Sequence, residues 1–143
     1  MLLTFADGRS FATGATIYFY DPPENPKLRL EVEIEGFRTS AVLDTGAPYF
    51  ICNPEVAAQI NLSQTIGPKT LDTRLGKVPG ALFRGTLRFL AHEGDTIDID
   101  ATVFVPDSEV WRKVPSFLGL SDCLDRLRFA VDASTQRFYF GKP

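Results

Sequence analysis

Apolar and charged positions alternate without a break from Lys27 to Gly36: Leu28, Leu30, Val32 and Ile34 are apolar, while Arg29, Glu31, Glu33 and Glu35 are charged. A period of two turns every second side chain to the same face, so this stretch predicts a strand with one buried and one wet face. Gly36 marks a turn, and Ser40–Leu43 (SAVL) reads as the returning strand, which runs into Asp44-Thr45-Gly46. Leu87, Phe89 and Ala91 alternate up to a polar loop at His92–Asp95, and Ile97, Ile99, Ala101, Val103 and Val105 alternate beyond it. Arg128–Val131 and Arg137–Phe140 flank the turn-rich DASTQ and predict a C-terminal hairpin.

Helix signals are few. Asn53-Pro54-Glu55 supplies an N-cap, a proline at the first helical position and an acid in the first turn, which predicts a short helix to Ile60. A second is expected over Ser121–Leu127, capped by Ser121 or Asp122, with one more turn within Asp107–Lys113. Trp111 is expected to anchor that turn. The sum is a mostly β domain with short helices near 54–60 and 122–127, a closed barrel or a sandwich. Proline-rich DPPENPK, residues 21–27, separates an N-terminal arm (1–20) from the alternating core.

At 143 residues the chain has the length of one domain and can bury a core without a disulfide or metal. Its net charge of -3 argues against a dedicated nucleic-acid binder, which needs a basic patch. No apolar run approaches a membrane span, and the first residues lack the basic lead of a signal peptide. The expected setting is therefore cytoplasmic, without membrane or nucleic-acid partners. Cys52 and Cys123 read as two buried, reduced thiols, with a disulfide between them as the alternative.

The inventory narrows the chemistry. His92 is the only histidine, and it sits in the polar His92–Asp95 loop, so histidine-dependent nucleophilic catalysis has one poor candidate. Zinc would need Cys52, Cys123, His92 and a carboxylate to converge without any short ligand spacing, and no glycine-rich phosphate loop is present. No metal or cofactor is expected. Carboxylates remain, and Asp44 stands out: it ends the apolar Ala41-Val42-Leu43 and is followed at once by Thr45 and Gly46. A carboxylate beside a core strand is costly unless it has hydrogen bonds or a function. The plain alternative is an Asx-turn closing a hairpin.

AVLDTGA resembles the active-site loop of the retropepsin-like aspartic proteases, a family of single-lobe members. Phe117-Leu118-Gly119 matches that fold's second landmark, Asp122–Leu127 its short following helix, and RFAVD…RFYFG its closing strands. The resemblance runs from about residue 28 to 141 and implies a closed acid-protease-type β-barrel. One Asp-Thr-Gly loop per chain then requires a homodimer, with the two Asp44 carboxylates at the twofold axis activating a water to hydrolyse a peptide bond. It also implies that Thr45 hydroxyls tie the two loops together and that Gly46 admits substrate backbone. Ala47, Pro48 and Tyr49 behind the loop are expected to line the substrate site. A mobile hairpin over the substrate is expected within Gly76–Gly85, with its tip near Pro79–Gly80 and with Val78, Leu82 and Phe83 covering a peptide side chain.

Two positions depart from the family pattern: Pro48 and Leu120 stand where members often pair an Asp with an Arg. Beside the aspartic endopeptidase reading stand two others, a catalytically silent binding or dimerisation module of the same fold and an unrelated small barrel for an apolar ligand. For the N-terminal arm, an interface strand, a strand across the lobe and a cleft-blocking segment are all open. Arg74, Lys77, Arg84 and Arg88 are expected to form a solvated basic face.

Overall fold

The computed structural model describes residues 2–20, 24, 26–74 and 76–143. In chain order its strands are β1 (Leu3–Thr4), β2 (Ser10–Ala12), β3 (Gly14–Ile17), β4 (Phe19–Tyr20), β5 (Leu28–Ile34), β6 (Phe37–Leu43) and β7 (Phe50–Ile51). After helix α1 (Pro54–Ala57) come β8 (Gln64–Thr73), β9 (Gly76–Phe89), β10 (Glu93–Gly94), β11 (Ile97–Pro106), β12 (Ser116–Leu118), β13 (Arg128–Asp132) and β14 (Arg137–Gly141). Most of the connector at 21–27 lies outside the described residues.

The alternating stretch forms β5 as expected, with Leu30, Val32 and Ile34 buried. Its hairpin to β6 turns through Glu35 and Gly36, with φ of 47° and 81°. Left-handed backbone at both central positions matches the right-handed twist of the paired strands, and glycine takes the second without steric cost. The main sheet runs β4-β5-β6-β12-β7-β11-β9-β8, and β5 also pairs with β9. Hydrogen bonding therefore passes around six strands and returns to its start, enclosing Leu30, Val32, Leu87, Phe89, Ala101 and Val103. Such a ring leaves few open strand edges.

A second sheet, ordered β10-β3-β14-β13, includes part of the N-terminal arm. Ala15 pairs with Tyr139 and Thr16 with Phe138, so β3 of the arm lies beside the last strand, β14. Phe138 and Phe140 from this sheet meet Phe89 at ring-centroid separations of 6.2 and 5.8 Å and join the same core. Within this chain the arm adds β3 to the second sheet and β4 to the edge of the main one.

The helical turns are shorter than the sequence suggests. Asn53 does cap α1, its Oδ1 accepting from the Glu55 amide at 2.7 Å, but α-helix ends at Ala57 and only turns continue toward Ile60. A 3-10 turn spans Glu109–Lys113 with Ser108 as its cap. The expected helix at 122–127 is a 3-10 turn over Leu124–Arg126, with no side-chain cap. Asp122 cannot cap it, because its backbone is left-handed (φ 51°) and its carboxylate engages Arg126 instead. Cys52 and Cys123 are free and fully buried. Burial pushes both thiols up to about 12.

Candidate active site

The loop Asp44–Tyr49 crosses the end of β12. β6 pairs with β12 in parallel, Leu43 opposite Leu118, and β7 returns on the other side, antiparallel, with Phe50 opposite Leu118. The loop thus straddles one strand, and main-chain hydrogen bonds hold it at both ends. The Asp44 amide donates to Leu118 O at 3.0 Å, Gly119 N to Tyr49 O at 2.8 Å, Leu120 N to Ala47 O at 2.7 Å and Tyr49 N to Ser121 O at 3.0 Å. Gly119 is required for this approach: a Cβ there would lie 2.3 Å from Tyr49 O and 2.6 Å from Ala47 O. At Pro48 and Leu120, where the family often has an acid–base pair, the attachment seen within this chain is main-chain, through Leu120 N and Ala47 O.

Asp44 emerges half-buried at the end of β6, and Thr45 and Gly46 are exposed beside it. One carboxylate oxygen, Oδ1, accepts from the Gly46 amide at 3.0 Å, which orients the group. The Asx-turn geometry is therefore present, and it holds a carboxylate at the wall of a cavity of about 540 Å³. Gly46, Ala47 and Pro48 line the same cavity on the loop side. Ile51, Trp111 and Phe117 give it an apolar wall, with the Trp111 and Phe117 rings edge to face at 6.4 Å. Leu71, Asp72, Thr73 and Arg74 close over it from the β8–β9 hairpin.

That hairpin differs from the expected one in where it turns. Thr73 pairs with Gly76, so the two strands turn back between these residues, and Pro79 and Gly80 are mid-strand opposite Thr70 and Lys69. β11 stops flanking β9 at the Pro106–Gly80 pair, so the outer part of the hairpin projects as a two-stranded ribbon. Pro79 lies one residue past the last β9–β11 ladder pair; its carbonyl still accepts from the Asp107 amide at 3.0 Å, and the end of a ladder is where a proline is tolerated. Gly80 is small for a packing reason: a Cβ would meet Val105 O at 2.4 Å and the Phe104 ring at 2.6 Å.

The consequence is a different set of cavity residues. Val78 is buried in a small core with Ile51, Leu71 and Phe104, against which Leu82 and Tyr49 also pack. Phe83 packs on the main core. Among the described residues, Tyr49, Val78, Pro79, Gly80, Leu82 and Phe83 do not line the cavity, whereas Asp44, Gly46, Ala47 and Pro48 do. A hairpin does border the cavity, but its lining comes from Leu71–Arg74, of which only Arg74 was marked by the sequence, and then as part of a basic face. Trp111 reaches the site because Asn53 holds its turn, donating from Nδ2 to the carbonyls of Trp111, Arg112 and Val114 at 3.3, 2.9 and 2.8 Å. On the basic face, Lys77 pairs with Asp72, Arg84 with Asp100 and Arg88 with Asp98, each at 2.7 Å.

His92 stands apart from this cavity. Its Nδ1 accepts from the Ile17 amide at 3.2 Å and lies 2.8 Å from Thr16 Oγ1, which joins the His92–Asp95 loop to β3.

No protein-family model matches the chain, and no curated protein sequence does. Solved structures do. The chain is similar to a retropepsin-like aspartic protease from Rickettsia conorii, with a TM-score of 0.60 over 92% of this chain and 94% of that one, at 16% identity. It is also similar to the EIAV protease complexed with the inhibitor HBY-793, with a TM-score of 0.52 over 69% of this chain and 86% of that one, again at 16% identity.

Proposed function

We propose that this chain, whose fold is of the retropepsin type, is an aspartic endopeptidase that works as a homodimer. The observation that supports it is the placement of Asp44. An oriented carboxylate on an Asp-Thr-Gly loop opens onto a cavity covered by a projecting hairpin. One such loop per chain supplies half of a two-carboxylate site. A twofold interface supplies the other half, because it brings the same residue of both copies to the axis.

Two carboxylates about 3 Å apart cannot both ionise, so the pair shares one proton. The ionised Asp44 takes a proton from a bound water while the protonated one polarises the scissile carbonyl. Thr45 hydroxyls tie the two loops across the axis, and the absence of a side chain at Gly46 leaves room for substrate backbone. Leu71–Arg74 of the hairpin close over the peptide and exclude water.

Cleavage of an unstructured protein across acid and neutral pH tests this reading against Asp44→Asn, with light scattering over a concentration series. The expected result is a dimer whose cleavage is lost in Asp44→Asn, with fold and dimer retained. Cleavage that persists in the variant, or a monomer at every concentration, refutes it.

A further inference from the structure

The cavity at Asp44 carries three formal charges, on Asp44, Asp72 and Arg74. Two have complements. Asp72 accepts from Lys77 Nζ at 2.7 Å, and Asp44 Oδ1 accepts from the Gly46 amide. The basic residues further along the same ribbon, Arg84 and Arg88, are held by Asp100 and Asp98. Arg74 sits at the hairpin tip, lines the cavity, and has no ion pair or hydrogen bond among the described residues. An arginine that lines a cleft and has no partner among the described residues is a ready recognition group for a planar carboxylate. Beside it, Leu71, Ile51, Trp111 and Phe117 offer an apolar wall of a size for one large side chain.

We propose that Arg74 makes this site selective for extended peptides that carry an acidic side chain close to an aromatic or branched apolar one. The inference rests on reading the Asp44 cavity as a peptide cleft. It assigns Arg74 a role in choosing the substrate, separate from the hydrolytic step at Asp44. Because the hairpin tip is exposed, the pair would form in partly screened surroundings. The expected preference is therefore about fivefold and shrinks with added salt.

Trp111 is the only tryptophan, so its fluorescence reports occupancy of the cavity. The probes are reduced-amide octapeptides with Phe at the reduced bond and either Glu or Gln placed in turn at each flanking position. At one position the Glu peptide is expected to bind the wild-type protein about fivefold more tightly than its Gln counterpart. Arg74→Ala, with its fold checked by circular dichroism, levels the two, and Arg74→Glu favours a Lys peptide at that position. Arg88→Ala, whose parent side chain is engaged with Asp98, keeps the preference. A Glu preference at no position, one that survives Arg74→Ala, or binding of none of the peptides overturns the inference. Asp44-dependent cleavage, measured on the same preparation, is a separate readout. Cleavage without the Glu preference overturns the Arg74 assignment alone, and the preference without cleavage overturns only the protease reading.

Discussion

Gly119→Ala is the sharpest probe of how the Asp44 loop is held. A Cβ at that position would lie 2.3 Å from Tyr49 O, 2.6 Å from Ala47 O and 2.6 Å from the Pro48 carbonyl carbon, all of them main chain of the loop. Ordinary contact begins near 3.4 Å, so the loop must retreat by about 1 Å (3.4 less 2.3). The same atoms accept the 2.8 Å bond from Gly119 N and the 2.7 Å bond from Leu120 N, and a retreat of that size breaks both. Two lost backbone bonds at about 1 kcal/mol each, added to an overpacking cost of about 1–3 kcal/mol, give a destabilisation of about 3–5 kcal/mol. For a domain of this length that lowers Tm by about 10–15 °C. Urea and thermal unfolding at one fixed protein concentration measure it, which holds any contribution from association constant. Gly36→Ala is the control: it meets open space, and its φ of 81° costs only about 1–2 kcal/mol. Cleavage should fall as well, by roughly a hundredfold, because the displaced loop carries Asp44. A Gly119→Ala protein as stable as Gly36→Ala, with unchanged cleavage, refutes the clamp.

Asn53 supplies a second test. Asn53→Ala removes the α1 cap and three donations to carbonyls, for an expected loss of about 2–3 kcal/mol and a red shift of Trp111 emission. Asn53→Asp keeps the cap acceptor but points a carboxylate at those carbonyls, so it should be worse than the alanine variant; a milder effect refutes the donor role. The buried thiols make stability fall in alkali. Their folded values of about 12 lie above those of the unfolded chain, so their contribution is complete below pH about 8.5 and is lost as pH rises toward 12. The slope is about 1 kcal/mol per pH unit for each thiol, and urea midpoints at pH 8 and 10 should show a shallower fall in Cys52→Ala.

What could be read locally was read from side chains that act within a few residues of themselves. The β5 alternation, the Asn53 cap, the C-terminal hairpin and the Asp-Thr-Gly loop at the end of β6 are of this kind, and each is where the sequence places it. The helix at 122–127 failed at the same scale, because the left-handed backbone of Asp122 and its pairing with Arg126 depend on how the chain leaves Gly119. The hairpin tip failed for a stronger reason. Proline and glycine are turn signals, yet Gly80 is there to let the Phe104 ring lie against the backbone, and the strands turn back between Thr73 and Gly76.

Local patterning is enough to show that the chain is β-rich and which face of β5 is buried, and it singles out Asp44 among the carboxylates. Tertiary structure alone decided what surrounds that carboxylate. Trp111 and Phe117 lie more than sixty residues along the chain from Asp44, and they reach it through the Asn53 bonds and the β6–β12 pairing. Ala15 meets Tyr139 only because the second sheet joins the two ends of the lobe. No local pattern encodes such contacts, because strand pairing and core packing are chosen by what the rest of the chain buries.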